Sequence, residues 1–200
     1  GIGGPITVTP MKKHPELYPA FIAAAQTQGF HETPDFNVPA PEGFGIPDCT
    51  IRNGRRHSAK NAYLDPASGR SNLRIEKDAL VTRILVEGGR ATGVEFERDG
   101  EKHHLRARGE VLLCGGTFNS PQLLMLSGIG PAAHLQQHGI PPLVDLPGVG
   151  ANLQDHPIAP CFWAAARPNT FDRDLRLDRL AFNVLRWKLT GSGSPAQSPL

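Results

Sequence analysis

The sequence has few cysteines and no long hydrophobic run, and each shortage excludes a class of protein. Its three cysteines, Cys49, Cys114 and Cys161, are odd in number, widely spaced and form no Cys-x-x-Cys pair. They predict neither a disulfide framework nor a dithiol redox pair, and they agree with a reducing, cytoplasmic compartment. Because no stretch of about eighteen consecutive apolar residues occurs, we expect no membrane span.

Aromatic residues are also scarce, at 6%, and the net charge is only +2. The densest basic cluster (Arg52, Arg55, Arg56 and Lys60) is interpreted first as a solvated loop and second as a feature near a substrate. A nucleic-acid-binding surface needs a basic stripe and stacking aromatics, so we expect no nucleic-acid partner. The hydrophobic fraction of 39% in 200 residues is enough for the core of one ordinary domain or for parts of two.

A dinucleotide fingerprint is missing as well. Gly1, Gly3 and Gly4 do not fit Gly-x-Gly-x-x-Gly, because the sixth position is Ile6 and no strand precedes them. Enzymes that bind dinucleotides use that strand–turn–helix unit to hold the pyrophosphate. The sequence by itself therefore does not predict a complete dinucleotide site.

What is present begins with a helix, predicted over residues 15–28, with Pro15 in its first turn and Gly29 at its end. The next segment, 31–58, is rich in proline and glycine, so we expect no regular element there. Such a segment is either a functional cover or a plain surface excursion. Alternating apolar residues then predict a meander that feeds a buried strand. Its strands are predicted over residues 72–77, 80–87, 92–98 and 104–113.

One run, EVLLCGGTFNSPQLLMLSGIGP, carries the strongest local pattern. The apolar strand end 111–113 leads into a glycine turn over 114–116. A helix is predicted to follow, with Asn119 or Ser120 as N-cap and Pro121 at its first position. This order lets a backbone approach a cofactor closely and leaves helix N–H groups free for negative charge. The local pattern alone favours a turn that serves only packing.

The helix over residues 121–126 is apolar on all sides, so we expect it to be buried. Two more helices are predicted, one from Pro131 to Gly139 and one from Phe171 to Gly191.

Residues 116–130, GTFNSPQLLMLSGIG, resemble a signature of the glucose–methanol–choline (GMC) family of flavin oxidoreductases. The Ser-Pro pair, the apolar pair and the closing Ser-Gly-Ile-Gly match it in order and spacing. Fifteen residues at fixed spacing are more specific than a lone glycine motif. Further stretches agree in order and spacing, namely 54–56 with 62–64, 72–73 with 90–96, and 146–157.

The resemblance implies an α/β fold with α+β features. It corresponds to the second half of an FAD-binding, Rossmann-like domain with a β-meander, followed by the start of a substrate-binding domain. The implied divisions are a substrate or cover segment over 1–60, the FAD-binding half over 61–157 and the start of the substrate domain over 158–200. The chain is therefore expected to be an internal piece of a longer protein.

The resemblance also implies cofactor contacts. Val81 is expected to touch the adenine part of FAD through its backbone, and Cys114 and Gly115 to lie near the ADP portion. Val81 is equally readable as a strand valine in the core, and both roles are compatible. Cys114 lies in an apolar strand, so it is interpreted as a small hydrophobic residue rather than as a reactive thiol.

No catalytic or metal-binding residue is expected in this sequence. The family's catalytic His, which takes the alcohol proton, and the His or Asn beside it belong to a C-terminal segment. His156 follows Asp155, and a neighbouring carboxylate can tune a histidine toward base chemistry. The resemblance nevertheless places this pair in a structural loop, and His103 and His104 are interpreted as solvated.

The implied function is FAD-dependent oxidation of a primary or secondary alcohol by hydride transfer to flavin. The signature loop resembles choline- and alcohol-dehydrogenase-like members, and the electron acceptor, oxygen or a quinone, stays open. Two alternatives remain, a lyase on the same scaffold and a non-catalytic, incomplete piece. We expect the 200-residue chain alone to be inactive and to bind no FAD.

Overall fold

A computed structural model describes residues 3–10, 17–157, 159–161 and 176–192. The helices are α1 (Leu17–Thr27), α2 (Asp65–Ala67), α3 (Gly116–Leu126), α4 (Ala132–Gln137) and α5 (Leu177–Thr190), and a π-helical turn (Lys60–Leu64) precedes α2. The strands are β1 (Ile51–Arg52), β2 (Arg55–Arg56), β3 (Leu80–Glu87), β4 (Arg90–Arg98), β5 (Glu101–Arg106), β6 (Ile129–Gly130) and β7 (Val144–Asp145). Helices combine with both antiparallel and parallel strands, so the predicted α/β class is confirmed.

The chain divides into two compact units, one of Gly1–Leu73 with Cys161–Leu200 and one of Arg74–Pro160. In the first unit α5 is anchored to the hairpin β1–β2, because Trp187 Nε1 donates to the Gly54 carbonyl at 2.6 Å. The Arg55 guanidinium lies 5.8 Å from the centre of the Trp187 ring. Buried His57 accepts a hydrogen bond from the Thr7 N–H at 3.0 Å. Side chains distant in sequence therefore hold this largely irregular unit together.

Both predicted terminal helices of the first unit are confirmed. α1 ends before Gly29, at φ +85°, and α5 ends before Gly191, at φ +67°, as left-handed glycines after a helix predict. Pro15 and Phe171 lie outside the described residues. The expectation of no regular element over 31–58 is wrong at the hairpin. Asn53-Gly54, with both φ values positive, makes the two-residue turn that joins its strands.

The second unit is built on the antiparallel sheet β3–β4–β5. Its turns fall at Gly88-Gly89 and Asp99-Gly100. The strand predicted over 72–77 is wrong, because no described strand pairs with it. Instead the Glu76 carboxylate binds Arg98 at the end of β4, at 2.7 Å.

The predicted strand over 104–113 is wrong beyond Arg106, where β5 ends. The apolar run 111–113 has no strand partner among the described residues, so its backbone forms no ladder, and Leu112 is 75% exposed. Helix α3 also begins earlier than predicted, at Gly116. The glycines already reverse the chain, with Gly116 at φ +83°, so Pro121 lies inside the helix.

The predicted burial of the signature helix is wrong as well. No residue of α3 is fully buried, and Phe118 is 74% exposed. Its contacts among the described residues are chiefly with β3 and β6, and each of its side chains stays partly or largely exposed. The following helix is confirmed as α4, which connects the parallel strands β6 and β7 as a small strand–helix–strand unit.

Candidate cofactor-binding site

Strand β3 lies at one edge of its sheet, and its backbone turns toward that edge at Val81. The carbonyl of Thr92 on β4 accepts from Ala107 N–H, 2.9 Å away and just past β5. Backbone groups alternate along a strand, so Phe96 of β4 also directs its groups toward β5. Val81 lies opposite Phe96, and therefore directs its N–H and C=O away from β4, toward the open edge of the sheet, where no strand of the described residues pairs with β3.

A second residue of β3 confirms this alternation independently. Ile84 lies opposite Val94, which shares its orientation with Phe96. Ile84 N–H does point away from β4, because it donates to the Ser127 hydroxyl at 2.8 Å. Val81 and Ile84 are an odd and an even residue of the same strand. They can face the same edge only because the alternation shifts between them.

That shift is a β-bulge at Thr82. Val81 pairs with Phe96 and Arg83 with Glu95. The two partners are consecutive in β4, whereas Thr82 is one extra residue between the two paired residues of β3. Thr82 Oγ1 donates to Glu95 Oε1 at 2.8 Å and so fixes the bulged residue to the opposite strand.

A second bulge, of opposite sense, occurs at Thr92 of β4. Leu85 pairs with Gly93 and Val86 with Ala91, which restores the register that the first bulge shifted. Thr92 Oγ1 donates to the Leu85 carbonyl at 3.3 Å. The two bulges thus enclose the short segment Arg83–Leu85, which carries the backbone group that binds Ser127.

The side chain of Glu95 also contacts β5. His104 Nε2 lies 3.3 Å from its Oε2, and Lys102 Nζ lies 3.7 Å from its Oε1. The hydrogen bond from Thr82, followed by the one from His104, holds the pKa of the Glu95 carboxyl below its usual range. Glu95 is therefore a carboxylate at neutral pH, and it accepts the bond from Thr82 in its charged form.

Ser127 joins the signature helix to the sheet. Its hydroxyl is fully buried, donates to the Leu123 carbonyl at 2.6 Å and accepts from Ile84 N–H. The next residue, Gly128, has φ +85°, and a Cβ there would lie 2.8 Å from the Pro141 carbonyl oxygen and 2.9 Å from Leu143 Cγ. The Ser-Gly pair of the signature therefore serves close packing between α3, β3 and the 141–143 loop.

The second predicted contact region is the turn before α3. Cys114 is exposed, and a Cβ on Gly115 would lie 3.2 Å from Asn119 Cβ, so the close return of the chain favours glycine there. Gly115 occupies the N-cap position and no side chain caps the helix, which leaves first-turn N–H groups free to bind negative charge. The apolar surroundings expected for Cys114 are not present, because its strand does not form among the described residues.

These groups fit one part of a dinucleotide. Val81 offers a donor and an acceptor side by side on an open edge, which suits the edge of a nucleobase, and its side chain is 37% exposed. The uncapped start of α3 suits a negatively charged group. The hydrogen bond between Ser127 and Ile84 links α3, which begins just after Cys114 and Gly115, to β3, which carries Val81.

His156 shows no arrangement of a general base. Asp155 Oδ1 accepts from the backbone N–H of His156 at 2.7 Å, so this bond fixes the loop and not the imidazole. Among the described residues, no group of three His, Cys, Asp or Glu side chains could hold a metal ion. Within the same residues, no helix has the length and apolarity that a membrane crossing requires.

Sequence reasoning missed the supporting residues Thr82, Glu95 and Ser127. Ser127 stands in the quoted signature, so its position carried a signal, but its partner on β3 did not. Thr82 and Glu95 carry no signal in the sequence, because a bulge depends on the pairing of two strands.

A sequence profile described as GMC oxidoreductase matches residues 2–158. The chain is 47% identical over 199 residues to "Choline dehydrogenase, mitochondrial" of Homo sapiens, covering 98% of this chain and 33% of that protein. It is 44% identical over 196 residues to "Oxygen-dependent choline dehydrogenase" of Brucella suis, covering 98% and 36%. The chain thus spans about a third of the length of the curated relatives it matches.

Solved structures give the same assignment of fold. An "FAD-dependent oxidoreductase from Chaetomium thermophilum" matches with a TM-score of 0.86 and 28% identity, covering 98% of this chain and 35% of that one. Pyridoxine 4-oxidase from Mesorbium loti matches with a TM-score of 0.64 and 33% identity, covering 74% and 29%.

Proposed function

Because the chain belongs to the GMC oxidoreductase family, we propose that it forms part of a longer, FAD-dependent enzyme that oxidises a CH–OH group of a small alcohol. The match over residues 2–158 carries this proposal, since it includes every helix and strand of the second unit. When bound, FAD supplies the acceptor for a hydride from the alcohol carbon. The catalytic histidine is expected in a C-terminal part of the longer protein.

The described residues have binding and positioning roles in this proposal. The backbone of Val81 hydrogen-bonds the adenine, and the turn at Cys114 and Gly115 lies near the ADP portion. The orientation of Val81 toward an open sheet edge supports the first assignment. The uncapped start of α3 supports the second, because free N–H groups there favour the negative charge of the pyrophosphate. Residues 61–157 then belong to the FAD-binding domain, and 1–60 and 158–200 to the substrate side.

The proposed substrate is a choline-type alcohol, because relatives named choline dehydrogenases are 47% and 44% identical to this chain. Oxygen and a quinone are the candidate electron acceptors. The cytoplasmic location indicated by three widely spaced cysteines without a Cys-x-x-Cys pair stays part of the proposal.

The test is anaerobic mixing of the full-length protein with choline, followed by its flavin absorbance. As a control, 3,3-dimethylbutanol has the shape of choline without its charge. Bleaching by choline and not by the control supports both reaction and substrate. Bleaching by the uncharged alcohol alone contradicts the substrate but not the reaction. Release of a carbonyl product without bleaching indicates a lyase, and a full-length protein that binds no flavin contradicts the proposal.

A further inference from the structure

The bulge at Thr82 decides which backbone groups β3 presents at its open edge. With Arg83 opposite Glu95, an unbroken ladder would place Thr82 opposite Phe96 and Val81 opposite Glu97. Glu97 directs its backbone groups toward β3, so Val81 would then bond to β4, and Thr82 would face the open edge instead. One extra residue therefore exposes the N–H and C=O of Val81.

The unbroken ladder is a close competitor of the observed one. Strand β3 begins at Leu80, so closing the bulge re-registers only Leu80 and Val81 within the strand. The segment Arg83–Leu85 and the bond from Ile84 to Ser127 keep their partners in both arrangements. Few contacts thus distinguish the two, and a specific interaction at the bulge is needed to select one of them.

The bond from Thr82 Oγ1 to Glu95 Oε1 supplies that interaction. It exists only when the side chain of Thr82 lies over Glu95. Glu95 is itself held from β5 by His104 and Lys102, and its side chain is only 19% exposed. The acceptor is therefore also held from β5, by contacts that do not involve Thr82.

We propose that Thr82 and Glu95 are positioning residues for the cofactor, which hold the bulge that turns the backbone of Val81 toward the adenine. This inference rests on the proposed function, because it needs FAD to be the ligand of Val81. The two residues act through the backbone of Val81 and do not touch the reacting atoms.

The experiment measures FAD release from the full-length holoenzyme by flavin fluorescence. Thr82→Val removes the hydroxyl and keeps the shape, and loss of one hydrogen bond that selects the register should accelerate release about fivefold to tenfold. Thr82→Ser retains the hydroxyl and should release FAD at a rate within about twofold of the original. Glu95→Gln retains an uncharged acceptor oxygen and should fall between them.

Thr92→Val is the matched control, since Thr92 is the bulged residue of the opposite strand and also bonds across the pair. Its FAD release should stay within about twofold of the original.

Equal FAD release from Thr82→Val and Thr92→Val would overturn the inference, and so would a failure of Thr82→Ser to restore slow release. If Thr82→Val does not fold, the rates of FAD release from Thr82→Ser and Glu95→Gln are compared instead. Glu95→Gln should release FAD faster than Thr82→Ser. An original protein that binds no FAD would contradict the proposed function itself, which distinguishes the two failures.

Discussion

Strand β3 is held by two hydroxyl side chains, and the two differ in depth and in reach. Ser127 is fully buried and ties Ile84 to a helix 43 residues away. Thr82 is half-buried and ties the strand to its own neighbour, 13 residues away. The first bond determines where the strand lies against the signature helix, whereas the second determines how the end of the strand is turned. The position of the strand and the direction of its end thus depend on two different hydroxyl side chains.

The largest effect is expected where the buried joint leaves no space. Gly128→Ala combines a left-handed φ of +85° with contacts of 2.8 and 2.9 Å, so it should lower the free energy of unfolding by about 3 kcal/mol. Gly139→Ala has φ +69° but no atom within 4 Å of the new Cβ, so it isolates the conformational cost, about 1 kcal/mol. Chemical denaturation of the protein measures both. Equal losses would show that the space around Gly128 relaxes freely.

The next effect concerns the buried hydroxyl. Ser127→Ala leaves the N–H of Ile84 without its acceptor, which should lower the free energy of unfolding by about 2 kcal/mol. The exchange rate of the Ile84 amide hydrogen should rise accordingly. Ser68→Ala removes a hydroxyl that bonds only an exposed helix carbonyl, and should change stability by less than about 0.5 kcal/mol. An Ile84 amide hydrogen that exchanges as slowly as in the original protein would contradict a hydrogen bond from this amide to Ser127.

A smaller difference tests the alternation of β3. Proline lacks an N–H, so Arg83→Pro removes a ladder bond to Glu95, whereas Val81→Pro removes only a group that faces the open edge. Arg83→Pro should therefore be the less stable variant, by about 1 kcal/mol. Val81→Pro should instead weaken FAD retention in the full-length protein. The opposite order of stability would mean that Val81 bonds to β4.

The smallest effect follows from the charge of Glu95. Its pKa is lowered, chiefly by the hydrogen bond from Thr82, so its stabilising contribution is present above the pH at which a free glutamate titrates. That contribution is lost as the pH falls through its own, lower pKa. The stability difference between the original protein and Glu95→Gln should thus be constant at neutral pH and disappear in acid. A difference that grows on acidification would contradict the assigned state.

The meander was predictable from sequence because its partners are local. Alternation over Leu80–Glu87 and two glycine-bearing turns determine which strands pair. The strand over 111–113 was not, because a short apolar run does not show which neighbour it would pair with, and a strand needs a neighbour. The signature helix was misjudged for the same reason, since burial depends on elements that the helix does not itself encode.

The candidate site was predictable only where a motif could carry it. Cys114, Gly115 and Val81 were identified through a resemblance, and the alternation of β3 supplies a physical reason for Val81. Thr82 could not be found, because a threonine in a strand is ordinary and the bulge follows from the pairing with β4.

The two bulges of the β3–β4 pair offset each other, because each inserts one extra residue, one in β3 and the other in β4. Their combined shift is zero. The pairs next to the turn at Gly88-Gly89 and the first pair, Leu80 with Glu97, therefore share one register, while Arg83–Leu85 is shifted from it by one residue. Deleting Thr82 would make the ladder continuous from Val81, opposite Phe96, to Leu85, without moving the turn. Deleting Ile84 would instead move Arg83 into the place of a buried core residue. The pair thus tolerates a change of length at Thr82 that it cannot absorb two residues later.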